Sequence, residues 1–178
     1  MNSKENFQKE IIPAMMKKFG YKNKLAVPRL MKITVNTGIG RFSDNAQRAD
    51  IKKMLEKIVG QKVVERGAKQ AIASFKTRQG SIVAYSATLR GKRMHDFFER
   101  TVGYAIPRIR DFRGINKKSV DQGGNLSLGF KESLVFPEII GEDVKTIFGL
   151  EVTFVTNAKS REEALELFKI MGVPFIKD

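Results

Sequence analysis

Few side chains in this sequence have the type and spacing to do chemistry, and the first to test is the run Gly38-Ile39-Gly40-Arg41-Phe42-Ser43, between a strand pattern and a helix pattern. A glycine-rich turn in that setting can present backbone N–H groups to a dinucleotide phosphate. The third glycine of that fingerprint is Ser43, the preceding strand alternates instead of being apolar throughout, and no lysine follows the glycines as a Walker loop needs. The run therefore reads as a tight turn that needs permissive glycines. The single His95 has no nucleophile partner, and Asp44, Asp50, Asp96, Glu99 and Asp111 are scattered among basic residues, which suits charge balance and not a paired-carboxylate site. With no Cys and one His, thiolate zinc sites, disulfides and His clusters are all excluded. The chain reads as a non-enzyme with no cofactor and no metal.

A different kind of chemistry is carried by short amides and hydroxyls. Lys32, Thr34 and Asn36 occupy one face of a strand, Ser86, Thr88 and Arg90 one face of another, and Gln61 leads into a third. Such groups donate and accept at once, so they can meet base edges, sugar hydroxyls and phosphates, while Lys92, Arg93 and their neighbours supply attraction.

The elements that must position these residues follow from periodicity. Met31 to Asn36 alternates apolar and polar, which predicts a strand with a buried and a wet face. Ile51, Met54, Leu55, Ile58 and Val59 share a helix face over residues 44–59, with Ser43 or Asp44 as cap and Gly60 as stop. A short strand at 62–66 and a longer one at 82–90 follow; then Met94, Phe97, Phe98, Val102 and Ala105 form a helix that ends before Pro107. Residues 107–149 read as loops around one alternating run, Leu126, Leu128 and Phe130. A strand at 150–156 precedes a helix opened by Ser160-Arg161-Glu162-Glu163. At the start, Ser3 caps a helix through Phe7, Ile11, Met15 and Phe19, strained by Pro13 and stopped by Gly20. The order predicts a single domain over 1–178 of the α+β class, a mostly antiparallel sheet with helices on one face and the other face open.

Charge points to the class of partner. The 178 residues carry 33 Lys and Arg against 19 Asp and Glu, a net charge of +14. The excess is uneven: residues 1–119 hold 27 basic and 9 acidic side chains, and residues 120–178 hold 6 and 10. Arg66 to His95 holds seven basic residues and no acid, which predicts a polyanionic partner. No apolar run approaches the roughly 20 residues of a membrane span and no signal pattern opens the chain, so the expected compartment is the cytosol, with no membrane partner. A wet polar sheet face beside this charge favours RNA. The β-α-β-β-α order also suggests an RNA-recognition-motif-like module outside the ribosome, but that family stacks bases on strand aromatics, and these strand positions hold Thr, Ser and Asn.

Six ordered runs carry a resemblance: Val27-Pro28-Arg29, Val35 to Gly40, Phe75-Lys76-Thr77-Arg78-Gln79-Gly80, Thr88-Leu89-Arg90-Gly91, Ile106 to Gly114, and Phe136-Pro137-Glu138-Ile139. From about Phe7 to Phe175 the chain resembles the bacterial large-subunit ribosomal protein five family, whose members bind 5S rRNA. The resemblance implies a non-catalytic constituent of the large subunit that binds 5S rRNA through Asn36, Gln61 and Thr88 and helps attach it beside 23S rRNA and neighbouring proteins. It also implies that a mobile basic loop at about 67–80, with Lys69, Phe75, Lys76 and Arg78, reaches the peptidyl-site tRNA. The segment with Arg110, Arg113, Glu138, Glu142 and Asp143 is implied to bridge to a protein of the small-subunit head. The chain departs from the family's usual pattern at Thr37, His95 and Leu126.

Overall fold

The structure is a computed structural model that describes residues 7–75, 77–139 and 146–176. Ser3 and the side chain of Phe7, both read as parts of the first helix, lie outside the described part. In chain order the elements are α1 (Ile12–Phe19), β1 (Leu30–Gly38), α2 (Asn45–Val59), β2 (Val64–Gly67), β3 (Ile82–Leu89), α3 (Gly91–Arg100), β4 (Leu126–Phe130), β5 (Leu150–Thr156) and α4 (Arg161–Ile170). The strands form one antiparallel sheet in the order β2-β3-β1-β5-β4, which makes the fold α+β as expected. The backbone groups into two compact units, one of residues 1–33, 89–128 and 153–178, the other of residues 34–88 and 129–152.

In the first unit, a five-residue π-helical turn over Phe7–Ile11 runs directly into α1. Pro13 falls in the first turn of α1, but the chain is already helical before it, with Ile11 in the right-handed helical region. Its missing N–H therefore leaves a gap in a continuous helix, and the wider π-helical turn lies beside the expected strain. Ile11, Met15 and Val27 pack with Leu167 of α4, and the Lys18 ammonium meets the Glu166 carboxylate at 2.6 Å. Phe154 of β5 is fully buried between two helices, with its ring edge-on to Phe98 of α3 at 5.4 Å and to Phe168 of α4 at 6.4 Å. Aromatic pairs at such angles add about 0.5–1.5 kcal/mol beyond the area they bury. Ser160 caps α4 by accepting from the Glu163 N–H, and the Glu163 carboxylate accepts from the Lys159 N–H, one residue before the position a strict capping box uses. The helix read as ending before Pro107 instead continues past it. After α3 the backbone widens to a π-helical turn over Thr101–Ala105 and tightens to a single turn over Ile106–Arg108, so the irregular helical turns fall around Pro107, whose N–H is missing from the ladder.

In the second unit, Asp44 caps α2 by accepting from the Ala46 N–H at 2.9 Å, and Ile51, Met54, Leu55, Ile58 and Val59 are all buried, the face the periodicity picked out. Phe130 and Phe136 meet edge-on at 5.2 Å. Thr37 points into the core of this unit, and its hydroxyl donates to the Gly149 carbonyl. A threonine at this inward position is thus satisfied by a hydrogen bond, where an apolar side chain would need only space.

Candidate RNA interface

Alternation positions the site. Along β1 the odd residues Ile33, Val35 and Thr37 are buried, and Lys32, Thr34 and Asn36 turn to the other face, with Asn36 exposed. Along β3, Tyr85, Ala87 and Leu89 are buried and Thr88 is exposed. In the second unit, Gln61 reaches this face because α2 ends at Gly60 in the left-handed conformation (φ 70°), which only a residue without Cβ adopts at no cost and which turns the chain back toward the sheet. The Gln61 amide then donates to the Thr88 carbonyl at 3.1 Å. That bond fixes the orientation of the Gln61 amide against the β3 backbone at Thr88.

Ser86 departs from the expectation. It stands on the outer face but is 8% exposed, because β2 lays Arg66 across it and the guanidinium Nε donates to the Ser86 hydroxyl at 2.8 Å. The pairing puts Val64 opposite Ser86 and Arg66 opposite Ala84, so Arg66 covers its diagonal neighbour. The charge of Arg66 therefore replaces the Ser86 hydroxyl as the group presented outward. Residues 62–66 read as a strand without a wet-face assignment, and the acid-free stretch from Arg66 to His95, with its seven basic residues, is the only signal that includes Arg66. A second pair was also missed: in the first unit, the hydroxyls of Ser127 on β4 and Thr153 on β5 lie 3.1 Å apart on the exposed side of their strands. The alternation Glu151, Thr153, Val155 could have found it.

Arg90, Lys92 and Arg93 are exposed at the start of α3. The loop Gly38 to Ser43 holds no phosphate cradle. Ile39 N–H donates to the Val83 carbonyl at 2.8 Å, Phe42 N–H to the Ile39 carbonyl at 3.0 Å, and Arg48 Nε to the Phe42 carbonyl at 2.7 Å. Arg41 lies over the Phe42 ring at 4.7 Å. The turn is real, but its glycines are not the reason for it: neither Gly38 nor Gly40 has a positive φ, and a Cβ at either would meet nothing within 4 Å.

The basic segment closes on itself more than a loop reading implies. Ala68 and Gly80 continue the β2–β3 ladder, and Ile72 and Thr77 exchange both backbone hydrogen bonds, at 3.0 and 3.1 Å. A Cβ on Gly67 would lie 3.2 Å from the Gly80 carbonyl oxygen, so the neck of this hairpin is as narrow as glycine allows. At the tip Phe75 is 77% exposed, with Ile72, Lys69 and Arg78 exposed around it; Lys76 lies outside the described residues.

Arg110 and Arg113 are exposed on either side of Asp111, which has a positive φ of 55° in the turn closed by Phe112 N–H on the Ile109 carbonyl. Glu138 is turned inward, both carboxylate oxygens shielded from solvent, so it does not present its charge outward as the sequence reading expected. Glu142 and Asp143 lie outside the described residues. His95 is half-buried, and Leu126 is fully buried. Among the described residues no three His, Cys, Asp or Glu side chains group as metal ligands, and no helix is long and apolar enough to cross a membrane.

The arrangement suits recognition more than catalysis: among the described residues no acid faces a base or a nucleophile across it, and the outer residues of β1 and β3 carry amides, hydroxyls and cations instead of the stacking aromatics of an RNA-recognition motif. The family model described as ribosomal protein L5 matches residues 23–78, and a second model, for the C-terminus of the same ribosomal family, matches residues 82–175. The large ribosomal subunit protein uL5 of Carboxydothermus hydrogenoformans is 47% identical over 173 residues, covering 97% of both chains, and that of Kosmotoga olearia is 49% identical over 173 residues, covering 97% of this chain and 94% of the relative. The uL5 of Alkaliphilus oremlandii is 46% identical over 175 residues, covering 98% of each. With two family models and nearly full-length relatives in agreement, the chain belongs to the ribosomal protein L5 family, whose members are structural constituents of the large ribosomal subunit and not enzymes.

Proposed function

We propose that this protein binds 5S rRNA within the large ribosomal subunit in the cytoplasm, helps attach it beside 23S rRNA, touches the peptidyl-site tRNA and bridges to a protein of the small-subunit head. The observation that carries the first part is the set of exposed Asn36 and Thr88 with half-buried Gln61, pinned by its bond to the Thr88 carbonyl. A preorganised amide loses little freedom when it meets an RNA group. Lys32, Arg90, Lys92 and Arg93 supply phosphate attraction, and Arg66 over Ser86 adds to it.

The hairpin tip supports the tRNA contact: Lys69 and Arg78 grip phosphates without reading sequence, as a protein that meets every tRNA must, and Phe75 offers a face for packing. Exposed Arg110 and Arg113, with Glu142 and Asp143, are the charged groups assigned to the bridge, where opposite charge favours an adjustable contact. The direct test is which RNA co-purifies with the protein from cells after a high-salt wash; a 5S-sized species is expected, and its absence overturns the reading. In binding assays the logarithm of affinity should fall with that of salt at a slope of roughly 0.7–0.9 per neutralised phosphate, and replacing Arg90, Lys92 or Arg93 singly should flatten it by about one unit.

A further inference from the structure

We propose that the first unit carries a docking groove for an acidic amphipathic helix of a partner protein, separate from the residues assigned to RNA. The groove encloses about 890 Å³ between the start of α1, the turn over residues 24–26, β1 and α3. That is the upper part of the range in which pockets bury a ligand-sized group, about 300–1,000 Å³. Its floor includes Met16, Met94 and Met171, and its rim carries Lys24 and Arg29, with no acid among the described residues that line it. Methionine is the side chain that repacks most readily against an incoming apolar face, as at surfaces that accept helices.

The lip is built, not frayed. Leu25 is 84% exposed, yet its N–H donates to the Asn23 side-chain oxygen at 2.9 Å, and the Val27 N–H closes the same turn on the Lys24 carbonyl. A leucine held out in water on a pinned turn, beside an apolar groove, has the character of an interface anchor. The charge decides the occupant: an apolar helix face fits the floor, and Glu or Asp flanking it meets Lys24 and Arg29, the two cations of a rim without acids. RNA fits less well, because among the described residues the groove is lined by no Phe or Tyr on which a base could stack.

The test is fluorescence anisotropy on the full chain with a labelled helical peptide of about sixteen residues, roughly 24 Å long, bearing Leu at i, i+3, i+4 and i+7 and Glu elsewhere. Two control peptides are used, one scrambled and one with Lys in place of every Glu. The acidic peptide should bind at least ~10-fold tighter than either control, and Leu25→Asp, or Lys24→Glu with Arg29→Glu, should each weaken it by roughly tenfold. Leu25 is too exposed for its substitution to unfold the protein, and the Leu25→Asp variant should keep its affinity for 5S rRNA. Equal binding of the acidic and scrambled peptides overturns the proposal. So does a Leu25→Asp variant that loses RNA and not peptide, which assigns the groove to RNA. Binding that appears only after residues 1–6 are removed also overturns it, by making the chain's own N-terminus the occupant.

Discussion

Two regions of the second unit present charge and polar groups to solvent by different means: the outer face formed by Asn36, Gln61 and Thr88, and the hairpin tip from Ala68 to Ser81. On the face, Asn36 and Thr88 alternate with buried Val35 and Ala87 along their strands, and Gln61 is held by its bond to the Thr88 carbonyl. The tip has no such backing. Its order comes from backbone hydrogen bonds at Ala68, Ile72, Thr77 and Gly80, and its apolar residues Ile72 and Phe75 face water. A face anchored by a core keeps its side chains at fixed spacing, which suits reading a folded RNA; a tip held only by its own ladder keeps its shape while exchanging partners.

The largest expected effect tests whether the core really holds the face. Leu55→Ala, at a fully buried position on α2, should cost about 2–5 kcal/mol of stability, whereas Phe75→Ala at the tip should stay within ~0.5 kcal/mol. Denaturant titration checks both, and comparable losses would mean that the tip packs against something in solution. Next in size, Asn36→Ala and Thr88→Ala should each weaken 5S rRNA binding by about 1–3 kcal/mol with circular dichroism unchanged, because a desolvated RNA group loses its partner. Unchanged affinity would remove that residue from the interface.

The tip should behave in the opposite way. Lys76→Ala with Arg78→Ala should leave 5S affinity and incorporation into the large subunit nearly unchanged while loosening tRNA in the peptidyl site. Failure to incorporate, with normal tRNA retention in the ribosomes that form, would make the tip an assembly anchor.

The smallest effect lies outside both regions and calibrates them. Burial alone would raise the Asp121 carboxyl, but N–H groups of Asn125, Gly123 and Gly124 and the Asn125 side chain outweigh it and hold the group below the usual carboxylate range. A lowered folded-state value means that the stabilisation is present above the ordinary carboxylate range and is lost as pH falls through the depressed value. Asp121→Asn should therefore lower stability slightly near neutral pH, by well under ~1 kcal/mol since solvent screens the site, and the gap from the parent in thermal unfolding should close in acid. A gap independent of pH would point to the lost geometry and not to the charge.

Much of the scaffold was legible in the sequence because it is written between near neighbours along the chain. Alternation placed Asn36 and Thr88 outward, helical spacing placed Ile51 to Val59 inward, and Asp44, Gly60 and Ser160 marked helix ends through hydrogen bonds and dihedrals that span at most four residues. Charge and composition likewise determined the class of partner without any fold. Only the tertiary structure decided what lies over what. That Arg66 covers Ser86 depends on strand pairing across 20 residues, that Gln61 is pinned to Thr88 across 27, and that Thr37 finds the Gly149 carbonyl across 112. Glu138 carries a charge that any sequence reading sends outward, yet packing turned it in. The physical reason is the same in each case: intrinsic preferences act over a turn or a strand repeat, whereas shielding from solvent is set by whichever distant segment the closed fold lays across the residue.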